Sequence, residues 1–228
     1  MKNNIFDKIQ KKVDESGLLR PIDILIVGAT GSGKSSTINS IFGSEIAKVG
    51  EGVYPETQNI SDYKLSDYLR FHDSAGLGDG KENDLNHNKN ITEKLLQKLG
   101  GDQKEYFFID MVLVILEGGL RDLGTSFKLL ENTILKSISP SRVVVAINQC
   151  DMAMKGRYWN KYERKPEKEL EDFLNEKSIS TKNRIKEATG FNIDRPVYFS
   201  ALNNFNIDKL IEHIYHHIPS SRRRKFDD

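Results

Sequence analysis

The sequence predicts a three-layer α/β fold, with a mostly parallel central sheet, helices on both faces and one more helix at the N-terminus. Three observations lead there. The runs at 22–27, 107–116 and 143–147 are apolar without polar alternation, which suits strands covered on both faces, as parallel sheets are. Between such runs lie segments with apolar residues at helical spacing, clearest in Ile207, Leu210, Ile211, Ile214 and Ile218. The two kinds of segment alternate along the chain, and parallel strands must be joined by crossovers that usually carry a helix.

A chain of 228 residues buries one sizeable core, so we expect one domain over 20–219, an amphipathic helix within 1–19 and a basic tail over 220–228. Lys and Arg number 34 against 33 Asp and Glu, so no whole-chain field favours nucleic acid or acidic lipid, and any such contact must be local. The single cysteine, Cys150, makes no internal disulfide and suits a reducing compartment as a small buried side chain. The first residues lack the apolar core of a signal peptide, and no apolar run approaches the ~20 residues of a membrane helix. The expectation is a cytoplasmic protein with no transmembrane segment.

Residues 3–16 place Ile5, Phe6, Ile9 and Val13 on one helical face, read as a helix docked on the main domain, with a membrane-surface role as the lesser alternative. The strand at 22–27 then runs into Gly28, and the stretch to Ser35 matches G-x-x-x-x-G-K-[ST] with Gly28, Gly33, Lys34 and Ser35 in the fixed places. Glycines without Cβ let consecutive backbone N–H groups curl around a β-phosphate, and the helix over 35–42 aims its positive end at the same charge. Lys34 would reach the β- and γ-phosphates, and the Ser35 hydroxyl would serve Mg²⁺.

Residues 49–59 are rich in turn formers and read as a mobile loop. Two strand-like runs, 60–65 and 68–72, lead into Asp73-Ser74-Ala75-Gly76. D-x-x-G at a strand end supplies a carboxylate that holds Mg²⁺ through water and a glycine N–H for the γ-phosphate. The polar, glycine-punctuated stretch 76–90 reads as a loop that changes shape, followed by a helix marked by Ile91, Leu95, Leu96 and Leu99. The strand at 107–116 leads through a loop with Arg121 and Asp122 to a helix from about Thr125, which stops before Pro140. The strand at 143–147 delivers Asn148, Gln149, Cys150 and Asp151.

Residues 152–165 read as a loop in which Arg157, Tyr158, Trp159 and Tyr162 stand among lysines. An RNA or protein contact is one reading of that mixture, and a Trp packing the loop onto its neighbours is the favoured one. Pro166 suits the first turn of a helix with Leu170, Phe173 and Leu174, and a separate helical stretch holds Ile185 and Ala188. The strand at 197–200 opens onto Ser200-Ala201-Leu202, and the last helix stops at Pro219. His213, His216 and His217 on that helix read as solvated or half-packed rather than metal-binding, since no acid or cysteine completes a set. The basic cluster at 220–225 reads as a solvated tail, with RNA or acidic-surface binding as the alternative.

The glycine loop after the first strand, D-x-x-G, N-x-x-D and S-A-x, in that order, make the chain resemble the translation-factor class of GTPases. More narrowly it resembles the Era-related bacterial GTP-binding proteins, with some similarity to immunity-related GTPases, over about residues 20–219. The resemblance implies a P-loop NTPase G domain that binds GTP and GDP with Mg²⁺. It places Gly28, Thr30, Gly31, Ser32, Gly33, Lys34, Ser35 and Ser36 around the phosphates. Asn148 would hold the base pocket and the glycine loop together, Asp151 would accept from guanine N1 and N2, and Ala201, within Ser200-Ala201-Leu202, would donate its N–H to guanine O6. Thr57 is the candidate switch threonine, so Ser35, Thr57 and Asp73 form the metal set and Lys34, Thr57 and Gly76 the catalytic one.

The chain departs from the pattern in three places. Gln149 stands where many members have a lysine over the base, Leu77 where many relatives have the water-orienting glutamine, and Gly31 where some have a potassium-binding asparagine. Intrinsic hydrolysis is therefore expected to be slow, and to depend on a protein partner, on dimerisation through the switch loops, or on a mobile-loop group such as Glu82 or His87. Arg121 reads as a surface salt bridge with a nearby acid, with an arginine finger in trans as the alternative. The reading is a GTP-hydrolysing switch. The alternative is a nucleotide-gated binding module with negligible turnover that recruits an RNA, ribosomal or protein partner.

Overall fold

Ile22–Gly28 (β1), apolar except for Asp23, is buried at every position, because both of its faces are covered by helices. The computed structural model describes residues 2–16, 20–43, 61–64, 67–74, 81–103, 105–119 and 124–224. In it β1 lies inside a six-stranded sheet with Ser61–Lys64 (β2), Leu69–Asp73 (β3), Met111–Glu117 (β4), Val143–Asn148 (β5) and Val197–Tyr198 (β8), in the order β2-β3-β1-β4-β5-β8. All neighbours pair in parallel except β2 with β3. Strand alternation sends Ile24 and Ile26 to one face and Leu25 and Val27 to the other.

Each face builds its own core. On the first, Ile24, Leu113 and Ala146 meet Ile38 and Ile41 of Lys34–Phe42 (α2), Leu210 and Ile214 of Ile207–His217 (α6), and Ile9 and Val13 of Lys2–Glu15 (α1). The apolar face of α1 is thus covered by the domain, as the docked-helix reading expects. On the second, Leu25, Val114 and Val145 meet Ile91 and Leu95 of Lys81–Leu96 (α3), Leu130 and Ile134 beyond Gly124–Leu129 (α4), and Ile185 of Lys168–Thr189 (α5).

Several elements differ from the sequence reading. The second half of the stretch expected as a loop, 81–90, is the first part of α3. Asn86, Lys89 and Asn90 are exposed, and Leu85 is 70% exposed, so no apolar stripe announces the helix until Ile91. The strand expected from 107 begins at Met111. The helix after α4 widens to a π-turn over Leu130–Ile134. The two helical stretches after Pro166 are one helix of 22 residues that starts at Lys168, while Pro166 pairs in a small hairpin of Trp159–Asn160 (β6) and Lys165–Pro166 (β7). Trp159 packs edge-on against Phe205 at 5.5 Å, whereas Tyr162 at the hairpin tip is fully exposed.

The basic cluster is the largest correction. Arg222 and Arg223 are buried, and the chain at 221–224 runs along the end of the sheet where β1 and β4 begin. Arg222 Nη1 lies 2.9 Å from Asp110 Oδ2 and 3.3 Å from Asp23 Oδ2. The Arg223 guanidinium sits over the Phe107 ring at 4.2 Å and donates to the Leu95 carbonyl. Two carboxylates buried at strand starts need cations, and the chain end supplies one.

Candidate functional site

The opposite end of the sheet gathers the motif residues, because every parallel strand ends there. At the first turn the glycines are required by what surrounds them. A Cβ on Gly28 would overlap the Ile115 carbonyl oxygen of β4, and one on Gly33 would overlap the Asn148 amide nitrogen. Gly33 also holds φ 84° as the residue before α2, a conformation that costs other residues. Thr37 donates through both its backbone N–H and its hydroxyl to Gly33 O, at 2.8 and 2.7 Å. Lys34 is buried, and its Nζ donates to Gly28 O at 3.3 Å and Ala29 O at 3.1 Å. The lysine thereby lies across the loop that its motif assigns to phosphate.

Asp73 ends β3 opposite Ile26 of β1, and Ser35 Oγ donates to its Oδ2 at 2.7 Å. Burial pushes the Asp73 carboxyl above its usual range, and the Ser35 bond and the Lys34 charge oppose that rise. Its other oxygen, Oδ1, is buried with no hydrogen-bond partner among the described residues. A hydroxyl and a carboxylate with a spare buried oxygen fit a hard divalent cation, which takes one or two protein oxygens and keeps water on its remaining positions.

Asn148 ends β5 and joins the two halves of the site. Its Nδ2 donates to Ser32 O at 2.9 Å, and its Oδ1 accepts from Ala201 N–H at 3.0 Å. The Ala201 N–H, expected to face a base, is thus engaged by Asn148. The turn around it is fixed by Ser200 Oγ, which accepts from the Asn203 N–H at 3.2 Å, and by Ser40 Oγ, which donates to Ala201 O at 2.7 Å. Leu202 beside it is 84% exposed. Gln149, at φ 57°, swings its amide back to donate to Gly31 O at 2.8 Å, so it braces the glycine loop. Asp151 is buried, with an Oδ1 that lacks a hydrogen-bond partner among the described residues. Cys150 is buried and its thiol pushed up by burial and by Asp151, which excludes it as a nucleophile.

A model of the 50S ribosome-binding GTPase family matches residues 23–149, more than half of the chain. The chain belongs to that family. Among curated proteins it is 40% identical over 90 residues to Translocase of chloroplast 125 from Physcomitrium patens, a match that covers 37% of this chain and 8% of that protein. The chain therefore spans under a tenth of that relative's length. Among solved structures, Toc33 from Arabidopsis thaliana in complex with GDP and Mg²⁺ superposes with a TM-score of 0.66 at 14% identity, over 98% of this chain and 94% of that one. Era from Aquifex aeolicus bound to GDP.AlF4⁻ gives 0.51 at 17% identity, over 88% of this chain and 58% of that one. At such identities the likeness shows the fold.

Within this GTPase family, the chain brings together every expected site residue that lies among the described ones. Thr30, Gly31, Ser32 and Ser36 sit in and beside the loop with Lys34 and Ser35, and Asn148, Gln149, Asp151 and residues 200–202 form the adjoining rim. Thr57, Gly76 and Leu77 lie outside the described residues. The sequence reading passed over Gly118. Its N–H donates to Asn148 O at 2.7 Å, and a Cβ there would stand 2.8 Å from both Asn148 O and Gln149 O. The Gly-Gly pair after β4 was its one sequence signal.

Proposed function

We propose that this chain is a Mg²⁺-dependent nucleotide switch of the Era-related kind that binds GTP and hydrolyses it to GDP and phosphate. The observation that carries the reading is the Asn148 side chain, which ties the glycine loop at Ser32 to the rim at Ala201, beside a buried Asp151 carboxylate with an unused oxygen. A base that donates twice satisfies that oxygen. Adenine leaves it unpaired, at a cost of about 1–3 kcal/mol or more for a charged acceptor. For the Ala201 N–H to donate to guanine O6, as the resemblance implies, it must share or leave its bond to Asn148.

At the phosphates, the loop N–H groups bind the β-phosphate and Lys34 exchanges its two loop carbonyls for phosphate oxygens. Ser35, Asp73 and Thr57 would hold Mg²⁺, which would supply positive charge to the phosphates. As the resemblance implies, Thr57 and the Gly76 N–H would meet the γ-phosphate side, so hydrolysis would release the segments that carry them and change the surface offered to a partner. With Leu77 in place of a water-orienting glutamine, turnover is slow until a partner completes the site. A second copy of this chain is the first candidate, in keeping with a neighbouring structure reported under the words "Dimerization is important for the GTPase activity of chloroplast translocon components". A solved Era complex with 16S ribosomal RNA makes RNA the second. The cytoplasm is the proposed location.

Leu77 also supports a second reading, a nucleotide-gated binding module with negligible turnover. Calorimetric titration of nucleotide-free protein with GDP, a GTP analogue and ADP, each with and without Mg²⁺, tests the first. Binding of GDP without ADP heat is expected, and equal ADP binding would end the guanine assignment. Sustained phosphate release from pure protein across a range of protein concentrations separates the switch from the module.

A further inference from the structure

Beside the base-side rim runs a cleft of about 710 Å³ that the nucleotide reading does not use. One wall is a stripe of α5 carrying Phe173, Lys177 and Arg184, the other is the segment around Lys155 and Arg157, and Gly118 and Gly119 lie between them. The α5 stripe from 173 to 184 is roughly 16 Å long at the helical rise of 1.5 Å per residue. An extended segment of about five residues has that length.

The lining is apolar at Phe173 and Met154 and cationic at Lys155, Arg157, Lys177 and Arg184, against Glu176 among the described lining residues and Glu117 near Lys177. Lys177 also donates to Gly118 O at 2.6 Å, and the Arg184 guanidinium lies 5.0 Å over the Phe127 ring. The wall is therefore held in place by the fold. In a chain whose charges otherwise balance, this local excess selects for negative charge.

We propose that this groove binds an extended acidic segment of a partner protein in which carboxylates alternate with apolar side chains. The alternation sends carboxylates to the cationic rim and apolar groups toward Phe173 and Met154, the two-sided habit of a strand. Apolar Phe173 and Met154 among the cations suit a chain that carries apolar side chains between its charges, which a polynucleotide backbone does not. Gly118, in the floor, is hydrogen-bonded to Asn148, so the occupant lies against the main chain that carries the base site.

The test uses the whole chain and a fluorescein-labelled octapeptide of alternating glutamate and leucine, followed by anisotropy. Saturable binding is expected, with no binding of the peptide that has lysine for glutamate. Arg157→Glu with Lys155→Glu should weaken it by at least about tenfold, and Ser180→Phe, which fills the groove from an exposed helix position without changing charge, should do the same. Lys161→Glu on the hairpin should leave it unchanged. Unaltered unfolding curves show that the variants fold. Absence of binding, equal loss with Lys161→Glu, retention in Ser180→Phe, or tighter binding of a single-stranded RNA octamer to the same surface would each overturn the proposal.

Discussion

Asn148 bears more of the site than any other side chain, since its two hydrogen bonds to Ser32 O and Ala201 N–H fix parts of the chain far apart in sequence. Asn148→Ala removes both and leaves a buried carbonyl and a buried N–H without partners, each costing about 1–3 kcal/mol. Guanine nucleotide affinity is expected to fall by about 10- to 100-fold, read by calorimetry with GDP, while the fold persists. Unchanged affinity would show that the loop and the rim hold each other without the amide. The identities in the glycine loop were legible in the sequence because the motif is local. The role of Gln149 was not. Gln149 stands where many relatives have a lysine over the base, and only the folded backbone, with φ 57° at that residue, turns its amide onto Gly31. Gly118 was hidden for the same reason, since its contact is with a neighbouring strand.

At the scale of elements, the buried strands were readable from their unbroken apolar runs, and helices were readable where the apolar stripe is complete. The first part of α3 failed that test because Leu85, Asn86, Lys89 and Asn90 are exposed, and surface pairs such as Lys89 with Glu93 at 3.8 Å contribute only a few tenths of a kcal/mol. The N-terminal helix is the opposite case. Ile9 is 1% exposed and lies in the same core as Leu210 and Ile214, so α1 is part of the domain's packing. Ile9→Ala should lower stability by about 2–5 kcal/mol through lost transfer and an unfilled cavity, seen as a shifted urea midpoint with an unchanged slope. A shift below about 0.5 kcal/mol, the size of a surface substitution, would mean that α1 is peeled from the domain in solution.

Across the whole molecule, the sheet carries its chemistry at one end and a buried ionic cluster at the other. Asp23 accepts from His72 at 2.7 Å and Arg70 at 2.6 Å, and both Asp23 and Asp110 pair with Arg222. No pattern in the sequence joins residues 23, 110 and 222, which is why the tail looked solvated. Arg222→Ala would take the ion-pair partner from the buried Asp110 carboxyl while Asp23 keeps His72 and Arg70, and a loss of about 3–5 kcal/mol is expected from denaturant unfolding. The pH dependence distinguishes the two acids. Burial works to raise the Asp23 carboxyl, but its bonds from His72 and Arg70 outweigh this and hold it below its usual value. Its contribution is therefore lost only as the solution becomes more acidic than about pH 4. Burial raises Asp110 to about 7, against the pull of Arg222 and the Asp23 N–H. Between pH 4 and 7 the folded state then holds a proton on Asp110 that the unfolded chain releases, so this group's contribution declines as pH rises through that window and is flat above it. His213, lowered to about 4 by burial and by His217, titrates in the same window with the opposite sign, because the unfolded chain takes up the proton as pH falls. The wild-type profile alone is therefore ambiguous, and the difference between wild type and Asp110→Asn isolates the carboxyl. Urea midpoints measured every half unit from pH 4 to 8 should show the wild type losing stability relative to Asp110→Asn up to about pH 7 and running parallel beyond. A difference curve that is flat throughout would mean that Arg222 holds Asp110 ionised across the whole window.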